Sequence, residues 1–357
     1  MARVRVLALN AGSSSLKAAV RDAPGSEPTV RIHAERLRTP EAFVTVDDDP
    51  PQPVGDSWDD ALEAVAAAAE ERSGSPDVVV HRVVHGGPDH HRPTVVDDAL
   101  VEDLEAVVAL APLHQPPALA TLAAARGRWT GATHVVCFDT GFHADLPEVS
   151  RRLPVSETLR AQGVRRYGFH GLVVESVLEQ RPELSDVVVA HLGSGCSVTA
   201  VGPDRLPRHT SMSFSPDSGM ISSTRSGDLD PEILLYLIEH HGHSPGDLRE
   251  EINRRAGLVG LSGGLRDVRD LLASQTDEAA LALEMFVVSA AMAIAAATTT
   301  LDPWRHLVFT GGVGEHASAI TSRICDRLRL DGQVDVDVVR ADEERVMDGH
   351  ARALLDA

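Results

Sequence analysis

The sequence predicts an α/β protein built from two similar domains, and three observations carry this. Apolar segments of strand length alternate with longer Ala-rich segments, and the strands are continuously apolar, as strands buried on both faces are. The chain has 357 residues, which is long for one core, so two domains are the expectation. One shape, strand then glycine turn then strand, occurs twice, at 4–20 and 186–201. With Gly12 set on Gly193, Ser13 meets Ser194, and Ala19-Val20 meet Ala200-Val201. The match is short; it is either a chance likeness or an internal repeat, and a repeat implies two related domains, each with a phosphate hairpin, facing one cleft.

The elements follow in order. Val4 to Leu9 and Ala18 to Val20 read as strands on either side of a tight turn. Residues 21–60 are rich in Pro, Asp and Arg and read as strands with loops, with Asp47 to Gly55 a surface loop. Trp58 to Arg72 is Ala-rich and helical. Pro76 to Gly87 is a buried strand ending in His81, Arg82, His85 and two glycines. A helix is expected over Asp97 to Leu110, a loop over Ala111 to Pro117, and a helix over Ala118 to Arg126. Thr133 to Phe138 is a third buried strand, ending in Asp139-Thr140-Gly141. Three strands therefore finish in polar residues, and ligands of α/β sheets sit at the carboxyl ends of strands.

The second half begins near residue 142. Arg165 to Gly171 leads into a helix, and 186–201 is the second hairpin. Residues 209–231 form a long loop rich in hydroxyls. Asp230 and Pro231 then open a helix as N-cap and first residue. Gly257 to Asp270 is a Gly-rich turn before a charged helix start. Glu278 to Thr300 is a long helix whose most apolar run, Met285 to Ala297, is too short to cross a bilayer. His306 to Thr310 is a strand, followed by the glycine turn Gly311 to Gly314 and a helix, a nucleotide-binding order that many other α/β turns share. A strand over Val334 to Val339 and a helix over Ala341 to Ala357 close the chain.

Composition excludes some classes. A hydrophobic content of 43% and a charged content of 24% are ordinary for a globular protein. The net charge of −20 argues against nucleic-acid binding, which needs a basic face. The same charge means that an anionic ligand must be drawn in by local cations. Three widely spaced cysteines with no CxxC pair fit a reducing compartment. Met1 to Val6 is a charged strand rather than a signal peptide. A cytoplasmic protein with no membrane partner is expected.

The first hairpin is the most informative stretch. Asn10-Ala11-Gly12-Ser13-Ser14-Ser15-Leu16-Lys17 offers hydroxyls and turn N–H groups that can form an anion-binding concavity. Lys17 is the only lysine among the chain's 33 basic residues. A compact ammonium suits a phosphate where a planar guanidinium would not fit. The turn is either a phosphate-binding hairpin or an ordinary polar turn with a surface lysine. It is not a Walker loop, because Leu16 stands where that motif needs Gly.

Nine segments in order resemble acetate kinases, within the superfamily of sugar kinases, heat-shock ATPases and actin. They are LNAGSSSLK, HRVVHGG, PLHQPP, FDTGFH, YGFHG, HLGSGCS, TSM…TRSGDLDP, GLVGLSG and FTGGVGEH; they lie between residues 9 and 316, within a likeness that runs from residue 4 to about 345. The resemblance implies two duplicated actin-like (ribonuclease H-like) domains of βββαβαβα type with the active site in the cleft between them. Residues 1–141 would form the first domain, with helix 344–357 packing back on it. Residues 142–343 would form the nucleotide-binding, dimerising domain.

The implied activity is transfer of the ATP γ-phosphoryl group to acetate or propionate, giving acyl phosphate and ADP. Such a transfer needs in-line positioning and cations around the phosphoryl oxygens rather than covalent help. By the resemblance, Arg82 and Arg225 hold the carboxylate and the phosphoryl. The alternative for Arg225 is an ion pair with Asp228 or Asp230. His170 meets the transferred phosphoryl, and His114 and His191 support it. Asn10 and Asp139 lie at metal and phosphoryl, and Glu343 at the metal, Mg²⁺ or Mn²⁺. A helix-end charge is the other reading of Glu343. Ser13, Ser15, Lys17, Gly193, Ser194 and Gly195 would bind phosphates. Asp267, Val268 and Arg269 would flank the adenosine of ATP or ADP, over Gly312, Val313 and Gly314. Val84, Leu113, Phe169 and Pro216 would line a small apolar acyl pocket, where one methylene is worth only about 1–3 kcal/mol.

Departures from the family pattern touch the surroundings. The chain is short for the family. His209 replaces Asp, Ser213 Gly, Ser218 Glu, Ser194 and His316 each an Asn, and Val268 an aromatic. None removes a residue assigned to phosphoryl transfer. Two alternatives accordingly stand beside the kinase: a nucleotide- or acyl-phosphate-binding regulator with little turnover, and an acyl kinase using another donor such as pyrophosphate. A homodimer through the second domain is expected.

Overall fold

A computed structural model of the chain describes residues 4–12, 15–330, 332 and 334–356. The chain divides into two compact units, Met1–Phe142 with Asp342–Ala357, and His143–Ala341.

The first unit is built on an eight-stranded sheet. Its strands are β1 (Val6–Ala11), β2 (Leu16–Arg21), β3 (Val30–Glu35), β4 (Phe43–Val46), β5 (Gln52–Pro53), β6 (Val78–Val83), β7 (Thr94–Val95) and β8 (Thr133–Phe138). The order is β5-β4-β3-β2-β1-β6-β8-β7. β1 to β5 run antiparallel, whereas β6 and β8 are parallel to β1 and to each other. Strand β5 lies inside the stretch expected as a loop. Every residue of β1 is buried, as its continuous apolar run requires.

Helix α1 (Trp58–Ser73) is capped by Ser57, whose Oγ accepts from the Asp60 N–H. Trp58, Ala61, Leu62, Val65, Ala66 and Ala69 form its buried stripe. Trp58 keeps its indole N–H satisfied by donating to Thr121 Oγ1 at 2.9 Å. Helix α2 (Asp98–Ala106) ends before Leu110, where a 3₁₀ turn (Val108–Leu110) takes over. Helix α3 (Gln115–Arg128) starts three residues before the expected Ala118. Pro116 and Pro117 fall in its first turn, where no backbone donor is needed. The loop before it is thereby shortened, and His114 becomes the N-cap.

The second unit opens with the one-turn helices α4 (Glu148–Arg151) and α5 (Glu157–Arg160), followed by α6 (Gly171–Gln180). Its sheet comprises β9 (Val187–Leu192), β10 (Cys196–Val201), β11 (Pro207–Thr210), β12 (His306–Thr310) and β13 (Asp335–Val338), in the order β11-β10-β9-β12-β13. Between β11 and β12 lie α7 (Pro231–His241), α8 (Pro245–Glu250), α9 (Gly257–Leu261), α10 (Val268–Ala273) and α11 (Asp277–Thr298). The Asp230 side chain caps α7 by accepting from the Glu232 N–H. Helix α11 is long and apolar enough to cross a membrane by length and composition. Here it is a core helix: Leu283, Phe286, Val287, Ala290, Ile294 and others on it are buried among β10, β12 and its neighbours. After β12 come α12 (Gly311–His316) and α13 (Ser318–Leu328). The expected glycine turn is thus itself the first turn of a helix.

The two sheets share a plan. In each, three antiparallel strands in chain order are followed by two parallel ones, giving the spatial order third, second, first, fourth, fifth: β3-β2-β1-β6-β8 and β11-β10-β9-β12-β13. The duplication is real, and the ungapped match of the two hairpins needs a one-residue correction. Ala11 pairs with Leu16, and Leu192 with Cys196. The second turn is one residue shorter, so Val20 corresponds to Ala200 rather than Val201. A shift of one reverses the face of every side chain on the strand. Asn10, which pairs with Lys17, therefore corresponds to His191, which pairs with Ser197.

Helix α14 (Glu343–Asp356) closes the chain on the first unit, with Val346, Met347 and Ala351 buried. The sequence puts Phe142, Asp342 and Glu343 in the second domain, whereas the compact units put them in the first. Asp342 receives both Nη2 hydrogen bonds of the buried Arg21 on β2, at 2.8 and 3.1 Å. Glu343 accepts from Asn10 on β1.

Candidate active site

In the first unit the carboxyl ends of β1, β6 and β8 bring Asn10, Arg82 and Asp139 together. Arg82 lies one residue before the end of β6, and Asp139 directly follows β8. Arg82 donates from Nε to Asp139 Oδ1 at 2.8 Å and from Nη2 to Oδ2, a two-pronged pair. Its Nη1 donates to Asn10 Oδ1 at 2.9 Å. Asn10 Nδ2 in turn donates to Glu343 at 3.1 Å and Glu344 at 2.7 Å. Glu343 also stands 3.6 Å from Arg82 Nε. Burial opposes the Arg82 charge, but Asp139 first, then Glu343 and Glu344, outweigh it and raise the pKa above the ordinary guanidinium value. Asp139 is 1% exposed, so this pair is a buried one.

The cluster holds one guanidinium against three carboxylates. That negative excess suits a hard divalent cation, with Glu343 and Glu344 as oxygen donors steered by one amide. Among the described residues no group of three or more His, Cys, Asp or Glu forms a metal cage. The set fits an ion such as Mg²⁺, which completes its shell with water and phosphate oxygens.

The rest of the hairpin is divided. Ser13 lies outside the described residues. Ser15 is half-buried and its carbonyl accepts from the Gly12 N–H at 2.8 Å. Lys17 is exposed on a strand whose other residues are buried. Nearby, Gln115 holds the backbone of His85 by a reciprocal pair of hydrogen bonds, 2.8 and 3.3 Å. His114 and Val84 are buried, and Leu113 is half-buried.

In the second unit the ends of β9, β10 and β12 gather a different set. His170 caps α6 in a left-handed conformation, φ 58° and ψ 31°, which costs about 1–3 kcal/mol for a non-glycine residue. Its Nδ1 lies 3.0 Å from Ser197 Oγ on β10, and its ring lies 4.6 Å from the His191 ring, centroid to centroid. Gly195 packs between these groups. A Cβ there would stand 3.0 Å from Arg225 Nη1, a tight approach, and 3.5 Å from His170 Nε2, ordinary contact, so the turn packs closely against both side chains. Gly311, at φ 80°, likewise lies where a Cβ would come 2.9 Å from the His191 ring.

Among the described residues the ion pair that the geometry shows joins Arg225 to Asp217 rather than to Asp228 or Asp230. Asp228 accepts from the Gly219 N–H, and Asp230 caps α7. The partner is Asp217, 2.9 Å from Arg225 Nε, while Arg225 Nη1 donates to the Pro216 carbonyl at 3.4 Å. Burial pushes the Asp217 carboxyl up, with Arg225 and then Arg249 pulling the other way.

The remaining expectations separate. Gly193 and Ser194 form the turn before β10, and Ser194 is exposed. Phe169 carries no accessible surface and Pro216 is buried. Val268, expected beside adenine, is buried against the core of the unit. Asp267, which caps α10, and Arg269, which pairs with it, remain on that surface. Gly312 is exposed, Val313 is half-buried against the core, and Gly314 is buried. His209 is half-buried, and burial, then Arg166, lowers its pKa to about 4.

Three participants were missed by the sequence reading. Glu344 was adjacent to a chosen residue and shares its amide. Asp217 sat between two residues already noted, with no periodicity to mark it. Ser197 could be found only through the corrected register.

Comparisons with known proteins agree on one family. The family model described as "Acetokinase family" matches residues 5–350. Acetate kinase of Nitrobacter hamburgensis is 37% identical over 393 residues, covering 98% of this chain and 96% of that one. Acetate kinase of Deinococcus deserti is 38% identical, covering 94% and 89%. Among solved structures, a propionate kinase from Francisella tularensis superposes with a TM-score of 0.90 at 28% identity, covering 97% and 98%. Porphyromonas gingivalis acetate kinase gives 0.84 at 28% identity, covering 99% and 100%. The chain belongs to the acetokinase family, phosphotransferases that act on a carboxyl group.

Proposed function

We propose that the chain catalyses reversible transfer of the γ-phosphoryl group of ATP to acetate, giving acetyl phosphate and ADP, with propionate as a tolerated acceptor. The observation that carries this reading is the Arg82–Asp139–Asn10–Glu343 network: a fixed guanidinium beside a carboxylate pair suited to a divalent ion. A carboxylate oxygen of acetate attacks phosphorus as the bond to the ADP oxygen breaks, in line and with no phosphoryl-enzyme. Arg82 and Arg225 stabilise charge spreading over the phosphoryl oxygens. His170 donates a hydrogen bond to the same group, with His114 and His191 in support. Asp139 fixes the plane of the Arg82 guanidinium.

Mg²⁺ or Mn²⁺ held by Glu343 and Glu344, with Asn10 at the same cluster, would neutralise phosphate charge. Lys17 with Ser13 and Ser15, and the turns at Gly193–Gly195 and Gly312–Gly314, contact nucleotide phosphates and ribose. Asp267 and Arg269 flank the base. Val84, Leu113 and Pro216, backed by Phe169, keep the acyl pocket small.

The enzyme works in the cytoplasm as a homodimer paired through its second unit. Support comes from α7, which has no buried residue and exposes Ile233, Leu235, Tyr236 and Ile238. Leu281, Met285 and Met292 add exposed apolar surface on α11. Incubation with acetate, ATP and Mg²⁺ in the presence of hydroxylamine should yield acetohydroxamate. Binding of ATP without any product would favour the regulator, and product from pyrophosphate alone would change the donor.

A further inference from the structure

Beyond the family's residues, we infer that Ser197 is the positioning residue of His170: its hydroxyl donates to Nδ1 and so keeps the imidazole proton on Nε2. The inference rests on the reading of His170 as the phosphoryl-facing histidine, and its test includes a readout independent of catalysis.

The geometry comes from the sheet. Ser197 is the second residue of β10 and pairs directly with His191 on β9. It is 1% exposed, and its Oγ lies 3.0 Å from His170 Nδ1. His170 Nε2 is on the other side of the ring, 3.5 Å from the Cβ position of Gly195, which itself lies 3.0 Å from Arg225 Nη1. One imidazole nitrogen is thus turned to a buried hydroxyl and the other to the turn shared with the guanidinium. A neutral imidazole has one donor and one acceptor nitrogen, and the partner of one fixes the other. A hydroxyl that donates to Nδ1 makes Nε2 the donor, the form that an anionic phosphoryl oxygen can accept from.

Two further observations support a positioning role. His170 occupies a strained left-handed N-cap, a conformation that needs surrounding contacts to persist. Ser197 also falls at the position equivalent to Lys17, since the Asn10–Lys17 and His191–Ser197 pairs match in the two sheets. The duplicated fold therefore places a polar side chain at the same cross-strand position in each unit.

The test is Ser197→Ala, read by kinetics and by ¹⁵N NMR of the His170 side chain. In the wild-type protein the long-range ¹⁵N–¹H pattern should report the Nε2–H tautomer. In Ser197→Ala it should show a mixture. The kcat for acetyl phosphate formation should fall about tenfold, the kinetic weight of one lost hydrogen bond, while KM for acetate and ATP stays within about twofold. Added to His170→Ala, Ser197→Ala should cost nothing more, because the two act as one unit. A wild-type Nδ1–H tautomer would overturn the inference even if the variant failed to fold. So would an unchanged tautomer in Ser197→Ala, or a full further loss on the His170→Ala background. Absence of kinase activity in wild type would refute the proposed function instead, leaving the tautomer result to decide on Ser197.

Discussion

Arg82→Lys separates a charge that merely balances its surroundings from one that recognises a phosphoryl group. Arg82 uses three of its five N–H groups on protein: two on Asp139 and one on Asn10. Among the described residues that leaves one N–H on each terminal nitrogen for an anion. A lysine at 82 keeps one positive charge beside Asp139, so the buried carboxylate is not orphaned. The stability loss should be about 1–2 kcal/mol, against the 3–5 kcal/mol that follows when one member of a buried pair is deleted outright. The ammonium cannot satisfy Asp139, reach Asn10 and present two parallel donors at once. If those donors act in the transition state, kcat should fall by a factor on the order of 10²–10³. Urea unfolding monitored by circular dichroism measures the first quantity, and the hydroxamate assay at saturating ATP and acetate measures the second. A variant that is folded and retains kcat to within about threefold, far from the loss of a transition-state donor, would show that Arg82 only balances Asp139, Glu343 and Glu344.

Four further outcomes are expected. Arg225→Ala should lower kcat by a factor on the order of 10²–10³, and its combination with Arg82→Ala should cost less than the product of the single losses, since both act on one group; a strictly multiplicative double mutant would contradict a shared target. Lys17→Ala should raise the KM for ATP or lower kcat at a stability cost within about 1 kcal/mol, because the side chain is exposed; unchanged kinetics would make it a surface lysine. Burial lowers the pKa of His143 to about 4 while its Nε2 bonds the Phe169 carbonyl, so the unfolded chain binds a proton that the folded chain refuses. Stability should be intact above about pH 6.5 and decline as pH falls towards 4, by up to about 3 kcal/mol from this group, and His143→Gln should flatten the slope of urea midpoint against pH in that window. Light scattering at micromolar concentration should give the mass of a dimer, and a monomer would mean that the exposed face of α7 has another use.

The architecture was legible because strand and helix carry different periods, and because buried strands such as Val78–Val83 and Val187–Leu192 are almost uninterrupted apolar runs. Helix ends were less so. The start of α3 was obscured by Pro116 and Pro117, which read as loop residues although a first helical turn tolerates them. The glycines at 311–314 hid a helix for a related reason: glycine signals a turn, but here Gly311 is needed beside His191. The candidate cluster was legible where motifs name a residue, as at Arg82 and Asp139, which the structure brings together. Partners supplied by long-range packing were not. Nothing in the sequence says that Asp217 rather than Asp228 meets Arg225, since both lie within a few residues in one loop.

The duplicated sheet explains why so short a repeat marks so much of the chemistry. In each unit the first strand is flanked by an antiparallel partner and a parallel one, and the candidate residues Asn10 and His191 stand where its carboxyl end meets both. In the first unit that junction is Asn10, beside Lys17 on one side and Arg82 on the other, joined by a 2.9 Å hydrogen bond to the latter. In the second it is His191, beside Ser197 and Thr310, with Gly311 packed against its ring. The same backbone positions thus carry opposite chemistries. One junction concentrates carboxylates around a guanidinium and calls for a divalent cation. The other gathers imidazoles, a hydroxyl and closely packed glycines. Phosphoryl transfer to a carboxylate needs both kinds of surface, because the nucleotide must have its charge neutralised and its phosphates held by backbone and neutral donors that add no competing negative charge. On the proposed function, two copies of one sheet plan, diverged at the strand ends, supply one kind of surface each.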